Sequence, residues 1–194
     1  MSNLKDDDLK EMIKNSDIKE FEGRFQRLKY LISIHKDIYL PYPSLCEEYY
    51  EEARLCWYNG AFIASILMTQ LTFEELFRSY FRMSYGVNGE LRFYKEKNKV
   101  DNASFYALIE EACLCGWINN NEKNELHNLR RIRNPYVHTK DIPLKTRKKI
   151  DFFNLFTKIY APELIEGSAE EDAKFAITLL IRSYPDIALR AFQK

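Results

Sequence analysis

Two side chains suited to phosphate chemistry, Arg133 and His138, lie five residues apart in the segment RNPYVH. Imidazole is the side chain best suited to moving protons near neutral pH. The guanidinium group of arginine presents a fixed set of donors to a phosphate and stabilises negative charge that develops there. RNA supplies its own nucleophile, the 2′-hydroxyl group. The pair is therefore compatible with RNA cleavage that needs neither a metal nor a cofactor.

The relation between these two residues depends on Pro135, which lies between them. On a continuous helix, residues five apart point about 140° away from each other. Proline lacks a backbone donor and disfavours helical geometry at the preceding residue, Asn134. We therefore predict a break in the helix at Pro135 that lets Arg133 and His138 converge. The alternative is a structural role for His138, either capping the helix or packing in the core.

A dense run of basic residues surrounds the pair. Between residues 130 and 149, eight Lys or Arg residues and a single acid give a formal charge of +7, whereas the whole chain has a formal net charge of zero. Such a run is typical of a surface that contacts the phosphates of RNA or of a nucleotide, and an ordinary solvated face is the alternative. The candidate phosphate-binding residues are Arg130, Arg131, Lys140, Lys145, Arg147 and Lys148.

The composition indicates a helical fold that must position these residues. The 194 residues are 46% hydrophobic and 30% charged, and they include only six Gly and six Pro. These values exclude a disordered or fibrous chain and disfavour an all-β protein with many tight turns. Apolar residues recur every three or four positions, as in amphipathic helices. We predict an all-α bundle in a single domain.

Start and stop signals divide the chain into helices. Residues 1–15 are polar, and an apolar stripe after Asp17 predicts a helix that ends before Pro41. A capping box formed by Ser44 and Glu47 predicts the start of the next helix. The stripe consists of Ile18, Phe21, Phe25, Leu28 and Ile32. Further helices are predicted at 61–85, 104–115, 119–134, 146–160 and 168–182, with a short one after Pro185 and a polar loop at 86–103.

The burial pattern within these helices can also be predicted. Residues 61–68 are apolar on all sides, which is typical of the central helix of a bundle. The second helix is expected to bury the face formed by Leu45, Tyr49, Ala53 and Cys56. The four cysteines form no C-x-x-C pair, so we interpret them as reduced thiols that are buried or half-buried small apolar residues rather than zinc ligands. Gly60 and Gly116 are predicted to end helices.

No segment indicates a membrane protein. The longest apolar run is far too short to span a bilayer. The first eight residues are polar and acidic, which is not typical of a secretory signal, so we expect a cytoplasmic location.

The segment RNPYVH resembles the R-x4–6-H motif of the HEPN superfamily, in which a polar residue often follows the arginine. Residues 49–62 (YYEEARLCWYNGAF) are similar to the helix–Gly–helix start of such domains. The acidic pair before Leu76 and the approach LHNLR at 126–130 also fit. The resemblance covers residues 44–160. It implies a HEPN-like bundle there, with residues 1–43 as a helical extension packing on it and residues 161–194 as further helices of the same domain.

The resemblance also implies an activity and partners. Many members are metal-independent endoribonucleases without a cofactor, and they are commonly homodimers whose two Arg/His pairs face one cleft. By this resemblance, His138 acts as general acid and base, Arg133 holds the scissile phosphate, and Asn134 orients the phosphate or a partner residue. Such members serve as toxins with an antitoxin or in antiphage defence, with RNA, including tRNA, as the target. Others are non-catalytic scaffolds that bind RNA, a nucleotide or a partner protein.

Overall fold

The computed structural model describes residues 6–34, 44–83, 97–137 and 166–193. Within these ranges the chain forms helices and short connections and no strand, so the predicted all-α bundle in a single domain is confirmed. The helices are α1 (Asp6–Ile34), α2 (Ser44–Tyr58), α3 (Phe62–Met83), α4 (Lys97–Asp101), α5 (Phe105–Leu114), α6 (Asn120–Val137) and α7 (Glu166–Gln193). The predicted helix at 146–160 lies outside the described residues.

α3 lies at the centre of the bundle, where it contacts α2, α4, α5, α6 and α7. Its side chains from Ser65 to Phe81 supply much of the core, and Phe73 and Phe77 are fully buried. The ring of Tyr184 from α7 meets the ring of Phe73 edge-on, with 5.9 Å between the centroids. The prediction of a central helix is confirmed, although Ile63 in its first turn is exposed.

α2 packs on α3 through a face rotated by one residue from the predicted one. Cys46, Ala53 and Trp57 are buried, whereas Leu45 is exposed. The predicted face was therefore wrong except at Ala53. The physical reason is the bulk of the Trp57 ring, whose burial outweighs that of Leu45. Burial also raises the pKa of the Cys46 thiol to about 12, which keeps it a neutral core side chain.

The predicted helix ends at Gly60 and Gly116 are confirmed. Both glycines have positive φ angles, 75° and 69°, where a side chain would be strained. The next amide in each case donates to a carbonyl five residues back, over 2.8 Å from Ala61 to Cys56 and over 2.9 Å from Trp117 to Ala112. Each end is therefore a Schellman motif with glycine in the left-handed position.

α6 begins with a reciprocal cap between Asn119 and Glu122, at one of the residues, 119–121, that the sequence predicts as its cap. The Asn119 Oδ1 atom accepts hydrogen bonds from the amides of Asn121 and Glu122, over 2.9 and 3.0 Å. The Glu122 carboxylate in turn accepts from the Asn119 amide over 2.8 Å. Three donors at the start of the helix that have no partner within it are thereby satisfied.

Two prolines that we predicted to interrupt helices lie inside them. α6 continues through Pro135 to Val137, and α7 continues through Pro185 to Gln193. The prediction of a helix break at Pro135 was therefore wrong for the described residues. Around Pro185 the explanation is packing, because Tyr184 and Ile187 are fully buried on either side and their burial outweighs one lost backbone hydrogen bond.

The predicted loop 86–103 also differs from the structure, because the short helix α4 forms within it.

α1 is longer than predicted and packs on the bundle through its C-terminal third. The Tyr30 hydroxyl lies 2.6 Å from the Thr178 hydroxyl of α7, and Arg27 Nε donates to the Tyr58 carbonyl of α2 over 2.9 Å. Leu31 is buried. The predicted apolar positions Ile18, Phe21, Phe25, Leu28 and Ile32, here called the α1 stripe, are instead 41–67% exposed. The amphipathic helix exists, but its apolar face points away from the bundle.

No helix within the described ranges combines the length and the apolar character needed to cross a bilayer.

Replacement of the capping residue tests how α6 begins. We expect Asn119→Ala to lower the free energy of unfolding by about 1 kcal/mol, because two amides lose their acceptor. Asn121→Ala, two residues further along the chain and exposed, is the matched control and should leave stability nearly unchanged. Urea denaturation followed by circular dichroism measures both, and equal losses in the two variants would contradict the cap.

Candidate functional site

α6 carries the sequence motif, and α7 holds it along its length. Arg190 pairs with Glu122 near the start of α6, and Arg182 pairs with Glu125, each over 2.5 Å. At the other end, the Tyr136 hydroxyl donates to Asp172 Oδ2 over 2.9 Å. The two helices therefore run antiparallel and are joined at both ends. The fully buried Leu126 and Leu129 side chains of α6 fill the core between these contacts.

α5 holds the opposite side of α6 through a charged group. The Glu110 carboxylate lies 2.8 Å from Lys123 Nζ and 2.9 Å from His127 Nε2. These hydrogen bonds to the charged form, first from Lys123 and then from His127, hold the pKa of Glu110 below its ordinary value of 4.5. Glu110 therefore stays ionised at neutral pH and fixes the position of the His127 ring.

An aromatic side chain lies beside this charged group. The rings of Tyr106 and His127 are nearly stacked, with 5.0 Å between centroids and 30° between planes. The guanidinium carbon of Arg130 lies 5.4 Å from the centroid of the Tyr106 ring, a cation–π contact. Tyr106 nevertheless remains 49% exposed. α5 and α6 thus present an aromatic ring flanked by an imidazole and a guanidinium group at the protein surface.

Arg133 and Asn134 are adjacent in sequence, but the structure places them on different faces of α6. Asn134 lies four residues after Arg130 and seven after His127, so these three share one face of α6. Arg133 lies four and seven residues after the buried Leu129 and Leu126, and it is half-buried on the side of the helix that faces the core. Arg131 is exposed on the outer side. The basic residues of α6 therefore do not form one uniform patch.

The other predicted site residues, His138, Lys140, Lys145, Arg147 and Lys148, lie outside the described residues. α6 is described up to Val137, the residue directly before His138. The convergence of Arg133 and His138 stays a prediction, and the helix break at Pro135 that was expected to allow it does not occur, since α6 continues to Val137.

Sequence reasoning missed Tyr106 and Glu110. The sequence nevertheless contains a signal for these two residues, which is their spacing from the turn between the helices. α5 and α6 are joined by a short turn at Gly116–Trp117. Glu110 and Lys123 are equally spaced about this turn, and so are Tyr106 and His127. In an antiparallel helix pair, such residues lie opposite each other. His127, which has no partner near it in sequence, gains its contacts in this way.

Comparisons with known proteins give no match from which a function could be assigned. No family model matches the chain, and neither a curated protein nor a solved structure matches it. Across the described ranges, no group of three or more His, Cys, Asp or Glu side chains is placed to hold a metal ion.

The lowered pKa of Glu110 makes a specific prediction for stability as a function of pH. Since the folded pKa lies below the unfolded value of about 4.5, the stabilisation is fully present above pH 4.5 and is lost as the pH falls through the folded pKa. We expect Glu110→Gln to lower Tm at pH 7 by about 2 °C, as for a partly exposed charged group. The difference from wild type should shrink progressively as the pH falls below 4.5.

Thermal unfolding between pH 7 and pH 3 measures this effect. Glu48→Gln, at an exposed position on α2, is the control and should follow the wild-type curve throughout. A Tm difference for Glu110→Gln that stays constant with pH would show that the carboxylate charge is not the cause.

Proposed function

We propose that the chain is a metal-independent endoribonuclease of HEPN type. The observation that carries this proposal is the RNPYVH motif, whose first five residues form the C-terminal end of α6. In support, α6 is fixed on one side by Glu110 of α5 and on the other by Asp172 of α7. A rigid helix of this kind is suited to holding a catalytic pair in a constant position.

The proposed reaction uses the substrate's own nucleophile. His138 takes the proton of the 2′-hydroxyl group, and the 2′-oxygen attacks the neighbouring phosphorus. The bond to the 5′-oxygen breaks as the His138 imidazolium gives this proton to the leaving oxygen. The products are a 2′,3′-cyclic phosphate and a 5′-hydroxyl end. Arg133 compensates the charge that accumulates on the phosphate, and Asn134 orients it.

The proposal extends to the biological role. The HEPN resemblance favours a cytoplasmic toxin or antiphage effector that acts on RNA, with tRNA as one candidate substrate. It also favours a homodimer, controlled by an antitoxin or by another protein of a defence system. We propose Lys140, Lys145, Arg147 and Lys148 as further phosphate contacts because of their charge and their place in the basic run.

Cleavage of RNA in EDTA tests the enzymatic proposal. The wild-type protein should cut single-stranded cellular RNA and tRNA and leave 2′,3′-cyclic phosphates. His138→Ala and Arg133→Ala should each lower the cleavage rate by at least ~100-fold, because they remove the proton-transfer group and the charge-stabilising group. Mapping of the cleaved ends by cyclic-phosphate-dependent ligation identifies the chemistry.

His35→Ala and Arg54→Ala are the matched controls, since they change the same residue types outside the motif. Both should cleave at the wild-type rate. Cleavage that is equal in all five proteins would indicate a contaminating nuclease and reject the assignment.

The second candidate function is a non-catalytic RNA-binding module. The exposed Tyr106 ring beside Arg130 favours it, because an aromatic face next to a cation is a common platform for an unpaired base. Arg131, exposed one position further along α6, could contact a phosphate. Binding at this face is compatible with either function, whereas cleavage requires the Arg133/His138 pair.

Affinity measurements test the binding face separately from catalysis. We expect Tyr106→Ala to weaken binding of a single-stranded RNA by roughly 10-fold through lost stacking, while Tyr106→Phe retains most of the affinity. Arg131→Gln should weaken binding and reduce the salt dependence by about one phosphate contact. Fluorescence anisotropy at several salt concentrations measures both. Unchanged affinity in both Tyr106→Ala and Arg131→Gln would show that RNA does not bind at this face.

A further inference from the structure

We propose that the α1 stripe is the seam of a homodimer in which α1 packs antiparallel against α1 of a second copy. This inference does not rest on the proposed nuclease activity. Its starting point is the exposure of large apolar side chains that a soluble monomer would be expected to cover. Ile18, Phe21 and Ile32 are 62%, 66% and 67% exposed.

The spacing of the stripe is that of a helix-pairing seam. Its five positions follow one another at intervals of three, four, three and four residues, which places them at successive a and d positions of a heptad. The row is about 21 Å long on the helix surface. The two preceding positions of the same pattern are Lys14 and Glu11, so the apolar seam begins at Ile18.

The opposite side of α1 is already occupied. Tyr30 contacts the Trp57 ring of α2 at 5.9 Å between centroids and the Thr178 hydroxyl of α7. Leu31 is buried against the bundle. α1 is therefore anchored in place and presents the stripe outward, so a second copy can reach it without unfolding of the bundle.

The area of the stripe suits a weak but specific dimer. Two phenylalanines and three aliphatic side chains at these exposures leave on the order of 500 Å² of apolar surface on each copy. Pairing two copies would bury about 1,000 Å², which is the lower limit for a specific protein interface. We therefore expect dissociation in the micromolar range rather than an obligate dimer.

The charged residues beside the stripe favour a second copy of this chain as the partner, with its α1 helix running antiparallel. Asp17 and Glu22 flank the N-terminal half of the stripe, and Arg24 and Lys29 flank the C-terminal half. A parallel pair would place acid beside acid and base beside base. An antiparallel pair places the acidic half of each copy along the basic half of the other, and a two-fold axis satisfies both halves at once.

Sedimentation velocity of the full-length protein over 1–100 µM tests the seam. The wild type should dimerise in this range. Phe21→Glu combined with Phe25→Glu should raise the dissociation constant at least ~100-fold with unchanged helicity, because both side chains are exposed in one copy. Phe192→Glu is the matched control, because Phe192 on α7 is 63% exposed. It should dimerise like the wild type.

Charge reversal tests the direction of pairing. In the antiparallel arrangement, Glu22→Lys and Lys29→Glu should each weaken the dimer by roughly tenfold, and the double variant should restore it. A parallel seam would give the opposite result, since either single reversal would strengthen it. A wild type that is monomeric at 100 µM, or a dimer that persists in the Phe21/Phe25 double variant, would overturn the proposal.

Discussion

The burial of Leu126 and Leu129 in the core of the bundle is the constraint on which the rest of the site depends. Once these two side chains face the core, helical geometry determines where every other residue of α6 points. His127, Arg130 and Asn134 are turned towards α5 and solvent, and Arg133 is turned towards the core. The ion pairs on both flanks of α6 reinforce this rotation but would not create it, since partly exposed ion pairs contribute little stability.

The position of α5 depends in turn on α3. Arg78 of α3 donates to the Ala103 carbonyl over 3.0 Å, directly before α5, and its other terminal nitrogen binds Glu74 over 2.9 Å. Arg82 binds Asp101 at the end of α4 over 2.8 Å. These contacts fix the connection from α4 to α5, after which Ser104 caps α5. The surface position of Tyr106 and Glu110 is therefore set by polar side chains on the central helix.

Local chemistry was sufficient to predict the ends of several helices. The left-handed glycines at 60 and 116 and the cap at Asn119 each depend on residues within one turn, so the sequence contains all the required information. The rotation of α2 and the continuity of α7 through Pro185 depend instead on which large side chains find partners elsewhere in the bundle. The α1 stripe shows the same limit, because its periodicity predicts an apolar face but not whether that face meets its own bundle or another molecule.

The candidate site likewise has some parts that the sequence predicts and others that depend on how the helices pack. The Arg130–Asn134 segment could be identified from residue types and spacing alone. The Glu110–His127 pair and the exposed Tyr106 ring required knowledge that α5 and α6 lie antiparallel. The assumption of a break at Pro135 failed because a proline inside a helix is tolerated when flanking contacts, here Tyr136 with Asp172, hold the helix in place.

The most direct test of the claim that both candidate functions share, that α6 and the adjoining face of α5 contact RNA, is a backbone amide NMR titration. The probe is a single-stranded RNA with 2′-O-methyl substitutions throughout, which prevents cleavage because the 2′-oxygen can no longer act as the nucleophile. We expect the largest chemical-shift changes at Tyr106 and at residues 127–137, which include the first five residues of the motif. Changes confined to α1 or to the C-terminal half of α7, with none on this face, would contradict the claim.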